Sequence, residues 1–309
     1  MPSTRADRRR MLMRLGAALA VPAVGGAVRA APVIVELQGG GARLELQFAE
    51  GFDAALRQRA RVWVERSVAA IVGYFGRFPV PDVELLMQPV AGGGVRGGTA
   101  FSHPAPYVRL RLGVDTSSAQ FDDDWVLVHE MVHLGVPRVP RRQSWLHEGL
   151  ATYVEGIART RAGQMSAATL WHAMQRDMPQ GQPQGGDEGL DHTPTWGRTY
   201  WGGALFCLLA DVQIRRRSGA RLGLEHALRG VLAAGGSYAV AWPLPRILEV
   251  GDAAIGQTTL AELYALTKDC PAPIDLAALW ADLGVVERGG TVELRGDAPL
   301  AAVRRAIAG

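Results

Sequence analysis

The sequence predicts an α+β protein, with strands and a helix in its first part and a mainly helical second part. Three observations carry this prediction. Runs with strand character, VELLMQPV (83–90) and YVRLRLGV (107–114), all lie before residue 120. From Phe121 onward the apolar positions recur mostly at helical spacing. The 309 residues are 48% hydrophobic and 20% charged, which suits a folded protein able to bury one large core or two smaller ones.

The first 30 residues stand apart. Arg8, Arg9 and Arg10 precede an apolar stretch over 15–28, which ends in Val28-Arg29-Ala30. That order of charged region, apolar region and small-residue site predicts an export signal over 1–30, and hence a periplasmic or secreted protein. The run Arg9-Arg10-Met11-Leu12-Met13-Arg14 is similar to a twin-arginine signal; a general secretory signal with a basic start fits as well. The apolar stretch falls short of the roughly 20 residues that a spanning helix needs, so no stable membrane span is expected once the signal is removed. Anchoring by an uncleaved signal is the minor alternative. Six of the 33 basic side chains and one of the 30 acidic ones lie in this segment, leaving 27 basic against 29 acidic. The excess of positive charge therefore belongs to the signal and gives no ground for nucleic-acid binding.

In the predicted N-terminal α/β subdomain, 31–120, the segments at 32–38 and 42–48 are split by three glycines and read as a β-hairpin. A helix is expected over 53–74, then the strand at 83–90. AGGGVRGGTAF (91–101) reads as a glycine-rich loop; it lacks the Lys-Ser/Thr of a phosphate-binding loop and leads into the strand at 107–114. The second subdomain, 121–309, opens with a helix whose start is marked by Asp122, Asp123 and Asp124 and whose end is marked by Gly135 and Pro137. Ser144 can cap the next helix, running to about 158, and a third covers about 165–176. The stretch 177–198, rich in Pro, Gly and Gln, has no periodicity and reads as a lid or a disordered loop. An apolar helix over 200–217 follows, and a strand and an Asp-capped helix close the chain. Cys207 and Cys270 make no disulfide framework, although one bridge between them stays open.

The chemistry concentrates in WVLVHEMVHLGV (125–136). On a helix, His129 and His133 project from one face a turn apart and can both donate a ring nitrogen to one metal ion. Glu130, beside them, is placed to take a proton from an activated water. A catalytic Zn2+ usually has a third protein ligand. Glu148, fifteen residues beyond His133, begins a helix that a short connection would fold back over the pair. Its alternative role is to complement the dipole at that helix start. His147 is a weaker candidate ligand, because its side chain projects about 100° away from that of Glu148. His192 in the loose stretch is a candidate oxyanion donor or a solvated loop histidine. Glu155 reads as an orienting partner or an exposed helix residue.

HEMVH followed by WLHEGLATYVEG resembles the gluzincin metallopeptidases, whose third zinc ligand is the Glu of a WLxEGxAxY-type segment. TYWGGALFCLLADVQIRRRSGARLGLEHAL is similar to the corresponding region of the glycyl aminopeptidase family and its aminopeptidase N relatives, where a Tyr in Tyr-x-x-Gly-Ala steadies the oxyanion. The matching residue is Tyr200, with Gly203 and Ala204 in register. The resemblance covers about 91–228 and implies a thermolysin-like fold, a zinc cofactor held by His129, His133 and Glu148, Glu130 as general base, and a peptide or protein substrate. Gly97 and Gly98 are the candidate substrate-binding positions, where a peptide backbone can approach a strand edge. Two departures stand out: Arg96 occupies the stretch where aminopeptidases carry a Glu for the substrate's amino terminus, and the spacing from His133 to Glu148 is short. The rival reading is a catalytically inactive gluzincin-fold binding or assembly protein of the cell envelope.

Overall fold

The computed structural model describes residues 33–309; the export-signal reading falls outside them. Strands β1 (Val33–Gly39) and β2 (Ala42–Phe48) form an antiparallel hairpin across Gly40 and Gly41, whose φ values of 60° and 82° suit the two-residue turn that matches strand twist. Helix α1 (Ala54–Phe75) starts where Asp53 accepts the Leu56 N–H and stops at left-handed Gly76. It carries the chain over to β3 (Asp82–Val90), parallel to β2, as a parallel pair requires. Strands β4 (Val95–Phe101) and β5 (Tyr107–Gly113) complete a sheet of order β1-β2-β3-β5-β4, in which β5 is parallel to β3 and β4 is antiparallel at the edge. Period-two alternation puts Leu44, Leu46, Leu85, Met87, Val108 and Leu110 in the core, and Arg43, Glu84 and Arg109 on the opposite face.

Helices fill the rest: α2 (Ser118–Asp122), α3 (Val126–His133), α4 (Ser144–Arg161), α5 (Ala167–Asp177), α6 (Gly203–Ser218), α7 (Leu224–Ala233), α8 (Leu244–Ile255), α9 (Thr259–Thr267), α10 (Leu276–Leu283) and α11 (Ala301–Ala308). A short hairpin, β6 (Val285–Arg288) and β7 (Thr291–Leu294), precedes α11. The protein is thus a mixed α+β structure with an N-terminal mixed sheet, and no helix among the described residues is long and apolar enough to cross a membrane.

Two polar networks fix the helical part. Arg215 in α6 lies 2.8 Å from Asp211 and 2.7 Å from Glu225, all three buried, while Tyr153 donates to Asp211 at 2.9 Å. Arg161, at the end of α4, reaches Glu225 at 3.2 Å and donates to the carbonyls of Ala306 and Ile307 at 3.0 Å each, tying α11 to α4. Such buried charges persist because each carboxylate has both a counter-charge and hydrogen bonds.

The structure differs from the sequence reading in several places. Val95–Phe101 is a strand, although its glycines suggest a loop; pairing with β5 overrides the low strand propensity. Phe121 and Asp122 belong to a separate short helix that a Ser117–Gln120 capping box opens and that ends at Asp123, so the next helix begins only at Val126. The stretch 177–198 is pinned: Asp191 accepts from Gln143, Trp145 and Tyr264 at 2.7–2.9 Å, and the backbone of 190–191 bonds to 267–268. The helix expected from 200 opens with a π-turn, Arg198–Gly202. Asp297 pairs with Arg295 and caps nothing. Both cysteines are free, Cys207 buried and Cys270 exposed.

Candidate metal centre

All eight residues of α3 are buried, so the helix runs through the interior between the sheet and α4. Asp124 opens it from just outside: its carboxylate accepts from the Leu127 N–H at 3.2 Å and from the Trp63 indole at 3.1 Å. Burial pushes the Asp124 carboxyl up to about 6. Four residues apart on α3, the rings of His129 and His133 lie 5.1 Å from centroid to centroid, nearly perpendicular. The chain then leaves α3 through Pro137, turns at Arg141–Gln143 and enters α4.

Helix α4 returns against α3 and presents Glu148 to both rings. The Glu148 carboxylate is 3.5 Å from His129 Nε2 and 3.8 Å from His133 Nε2, and the three ligand atoms all lie within 4.8 Å of one another. The position of α4 is set on its far side by Gly149, which touches the backbone of Gly203 in α6; a side chain on either would collide with the other helix. Burial opposes the Glu148 charge, but the facing His133 and His129 outweigh it and hold its pKa at about 2. Burial lowers His133 to about 3, whereas at His129 Glu148 and Glu130 outweigh burial and raise it. A carboxylate and two ring nitrogens therefore face one point from two helices.

Glu130 occupies the adjacent position. Its carboxylate accepts the Ala100 N–H of edge strand β4 at 2.8 Å, and burial raises its pKa to about 7. Gly98 makes this possible, since a Cβ there would lie 2.6 Å from Glu130 Cγ. Gly97, at φ 150°, sits beside a register shift in the β4–β5 pairing. Tyr200, in the π-turn, faces Glu148, and burial together with Glu148 and Glu130 raises its phenol well above the usual value. Trp196 stacks on the Tyr200 ring at 5.8 Å.

The structure thus brings His129, His133, Glu148, Glu130 and Tyr200 to one place beside Gly98. Other candidates are engaged elsewhere. His147 sits 2.9 Å from the Pro137 carbonyl through Nε2, and His192 is exposed, 3.0 Å from Asp269. Glu155 is buried in an ion pair with Arg159 at 2.8 Å, contrary to the exposed reading. One neighbour is unannounced by the sequence. Tyr238, in the connection after α7, packs its ring 5.4 Å from that of His147 and 6.5 Å from that of His133, and its N–H bonds to the Leu134 carbonyl. No local pattern marks it, because a tertiary contact between distant turns brings it there.

No family model and no curated protein matches the chain. Solved structures do. An aminopeptidase N family protein from Idiomarina loihiensis superposes with a TM-score of 0.64 at 14% identity, over 82% of this chain and 49% of that one. An M1 zinc metallopeptidase from Deinococcus radiodurans gives 0.50 at 14% identity over 79% and 52% of the two chains. A mutant of an M1 zinc metallopeptidase from the same organism, bound to a Tyr-Ser-Ala substrate, gives 0.50 at 13% identity over 79% and 52%. The chain spans about half the length of the structures it matches. At this level of identity the likeness is one of fold, and the fold is that of zinc metallopeptidases of the aminopeptidase N type.

Proposed function

We propose that the chain is an exported, zinc-dependent metallopeptidase of gluzincin type, with a thermolysin-like arrangement of sheet edge and helix pair. The observation that carries the reading is the convergence of two buried imidazoles and one carboxylate within 4.8 Å, with a second carboxylate on the neighbouring residue. The donor set fits zinc: two ring nitrogens and one carboxylate oxygen are a usual catalytic complement that leaves a position open. Export is supported by the basic and apolar order of residues 1–30.

His129, His133 and Glu148 would hold the metal. When bound, zinc lowers the pKa of a water and polarises a carbonyl. Glu130 takes the proton from the attacking water and delivers it to the nitrogen of the leaving amine, restoring its carboxylate. The Ala100 N–H fixes that carboxylate, so it need not search for its position. Tyr200 stays protonated and donates a hydrogen bond to the oxygen that becomes negative in the transition state. Edge strand β4 receives the substrate backbone at Gly97 and Gly98, where no side chain intervenes. β4 carries Arg96 and no carboxylate, which disfavours capture of a free amino terminus and favours cleavage within a chain.

Metal analysis and one substitution test this. About one zinc per chain is expected after mild dialysis, and less than about half would remove the metal reading. Glu130→Gln should keep the metal and lower peptide hydrolysis by about 100- to 10,000-fold. A wild-type protein that holds zinc and cleaves nothing in a broad peptide library would be the envelope binding protein instead.

A further inference from the structure

The two edges of the sheet are treated differently. Edge strand β4 is broken by a register shift between Val95 and Gly97, carries Arg96, and gives its Ala100 N–H to Glu130. Strand β1 has none of these devices. Its seven residues pair with β2 in unbroken register, with no proline and no cation among them, and no strand among the described residues pairs with its outer side. The two-residue turn makes Gly39 and Ala42 a hydrogen-bonded pair, so alternation turns the N–H and C=O groups of Ile34, Glu36 and Gln38 away from β2.

Apolar surface gathers along the same edge. Val33, Ile34 and Val62 are three of the four large apolar side chains exposed among the described residues, and all three lie on β1 or on α1 beside it. Between β1 and α1 a groove of about 230 Å³ opens, walled by Leu37, Gly39, Val68, Ala69 and Val72. Glu65, the charged residue of its lining, is answered by Arg61 at 2.9 Å. Val62, Glu65, Ala69 and Val72 recur at helical spacing, so the groove continues into one face of α1.

We infer that β1 pairs antiparallel with β1 of a second copy of this chain, around a two-fold axis at Leu37. Charge and the groove together select that register. An axis at Glu36 would set two like carboxylates directly opposite each other, which destabilises a strand pair. An axis at Val35 would leave Gly39, and with it the groove, opposite no residue of the strand. With the axis at Leu37, Glu36 faces the partner's Gln38, whose amide can donate to it, and these positions exchange paired backbone hydrogen bonds. The partner's Val35 then stands opposite Gly39 and enters the groove, while Leu37 packs on the partner's Leu37. Glu36 keeps Arg43 at 2.5 Å on the same sheet face, so its charge stays answered. The pairing doubles the five-stranded sheet, sets the two α1 helices on one face of it, and leaves β4 and the metal centre free at each outer end. It stands independently of the peptidase reading.

Sedimentation and crosslinking of the full chain test the pairing. An edge contact of this kind belongs to the small, transient class of interface, so the mass should rise from one chain towards two as the protein is concentrated to about 200 μM. Val35→Lys would carry a charge into the partner's groove when paired and reach water when not, so it should weaken association at least about tenfold and leave the melting curve of dilute protein unchanged. In a Cys270→Ser background, Leu37→Cys should form a disulfide-linked dimer under mild oxidation, because the axial pair is about 4.5 Å apart between Cα atoms. Val35→Cys should not, since four residues of offset separate the two copies by about 13 Å. A mass of one chain at about 200 μM overturns the inference. So does association that Val35→Lys leaves as strong as before, or crosslinking through Val35→Cys in place of Leu37→Cys.

Discussion

Gly149→Ala tests the packing that brings Glu148 to the histidines. An added Cβ would lie 2.3 Å from the Gly203 carbonyl carbon, 2.4 Å from its Cα and 2.8 Å from the Ala204 nitrogen, where ordinary contact begins at 3.4 Å. These are backbone atoms in a helix and cannot rotate away, so α4 and α6 must part by about 1 Å. The cost should sit at the upper end of overpacking, about 3 kcal/mol. Helix propensity acts the other way, since alanine is favoured over glycine by about 1 kcal/mol in a helix interior. The contact should win by about 2 kcal/mol, and for a chain of this size the melting temperature should fall by about 3 °C. Gly73→Ala is the control, because Gly73 is also helical but its Cβ would meet nothing within 4 Å. It should stabilise by about 0.5–1 kcal/mol. Thermal and urea denaturation of both variants decide the matter. If Gly149→Ala melts at or above the wild type, the close approach of the two helices is wrong, and with it the argument for where Glu148 is held. On the proposed function, a shift of about 1 Å at Glu148 should also slow peptide hydrolysis by about 100-fold.

Asp124, with its pKa raised from 3.8 to about 6 in the fold, lends stability that is complete below pH 3.8 and is lost as pH rises through about 6. A shift of that size corresponds to about 3 kcal/mol, so Asp124→Asn should gain on the wild type by an amount of that order between pH 4 and pH 6; parallel stability profiles would refute it. Arg215→Met leaves Asp211 buried beside Glu225 without its cation, and should destabilise by about 3–5 kcal/mol in urea titration. Adding Asp211→Asn should recover part of that loss; equal loss in the double variant would show that the charges are not the cause. Chelation should abolish peptide hydrolysis and lower the melting temperature, by an amount set by about 4 kcal/mol when zinc exceeds its Kd a thousandfold. An unchanged melting curve would mean that no metal bridges α3 and α4.

Much of the fold is legible in the sequence because it is locally encoded. Asp53 and Gly76 mark both ends of α1, and alternation in YVRLRLG suffices for β5. His129 and His133 are readable as a pair because four residues make one helical turn. What escapes is set by partners far along the chain. The glycines at 97 and 98 look like a loop until β5 pairs with them and Glu130 takes the space that their missing side chains leave. The loose composition of 177–198 hides Asp191, whose three donors come from Gln143, Trp145 and Tyr264. Tyr238 belongs to the same class: the Leu134 carbonyl that anchors it lies in the turn that ends α3.

The grip of Arg161 on the carbonyls of Ala306 and Ile307 links the remote helix α11 mechanically to the one that bears Glu148. A cut or an unfolding event near residue 300 would free one end of that lever and leave its guanidinium searching for new acceptors. Loosening at the rear of the molecule should accordingly be felt as a slacker hold on the ion at the front.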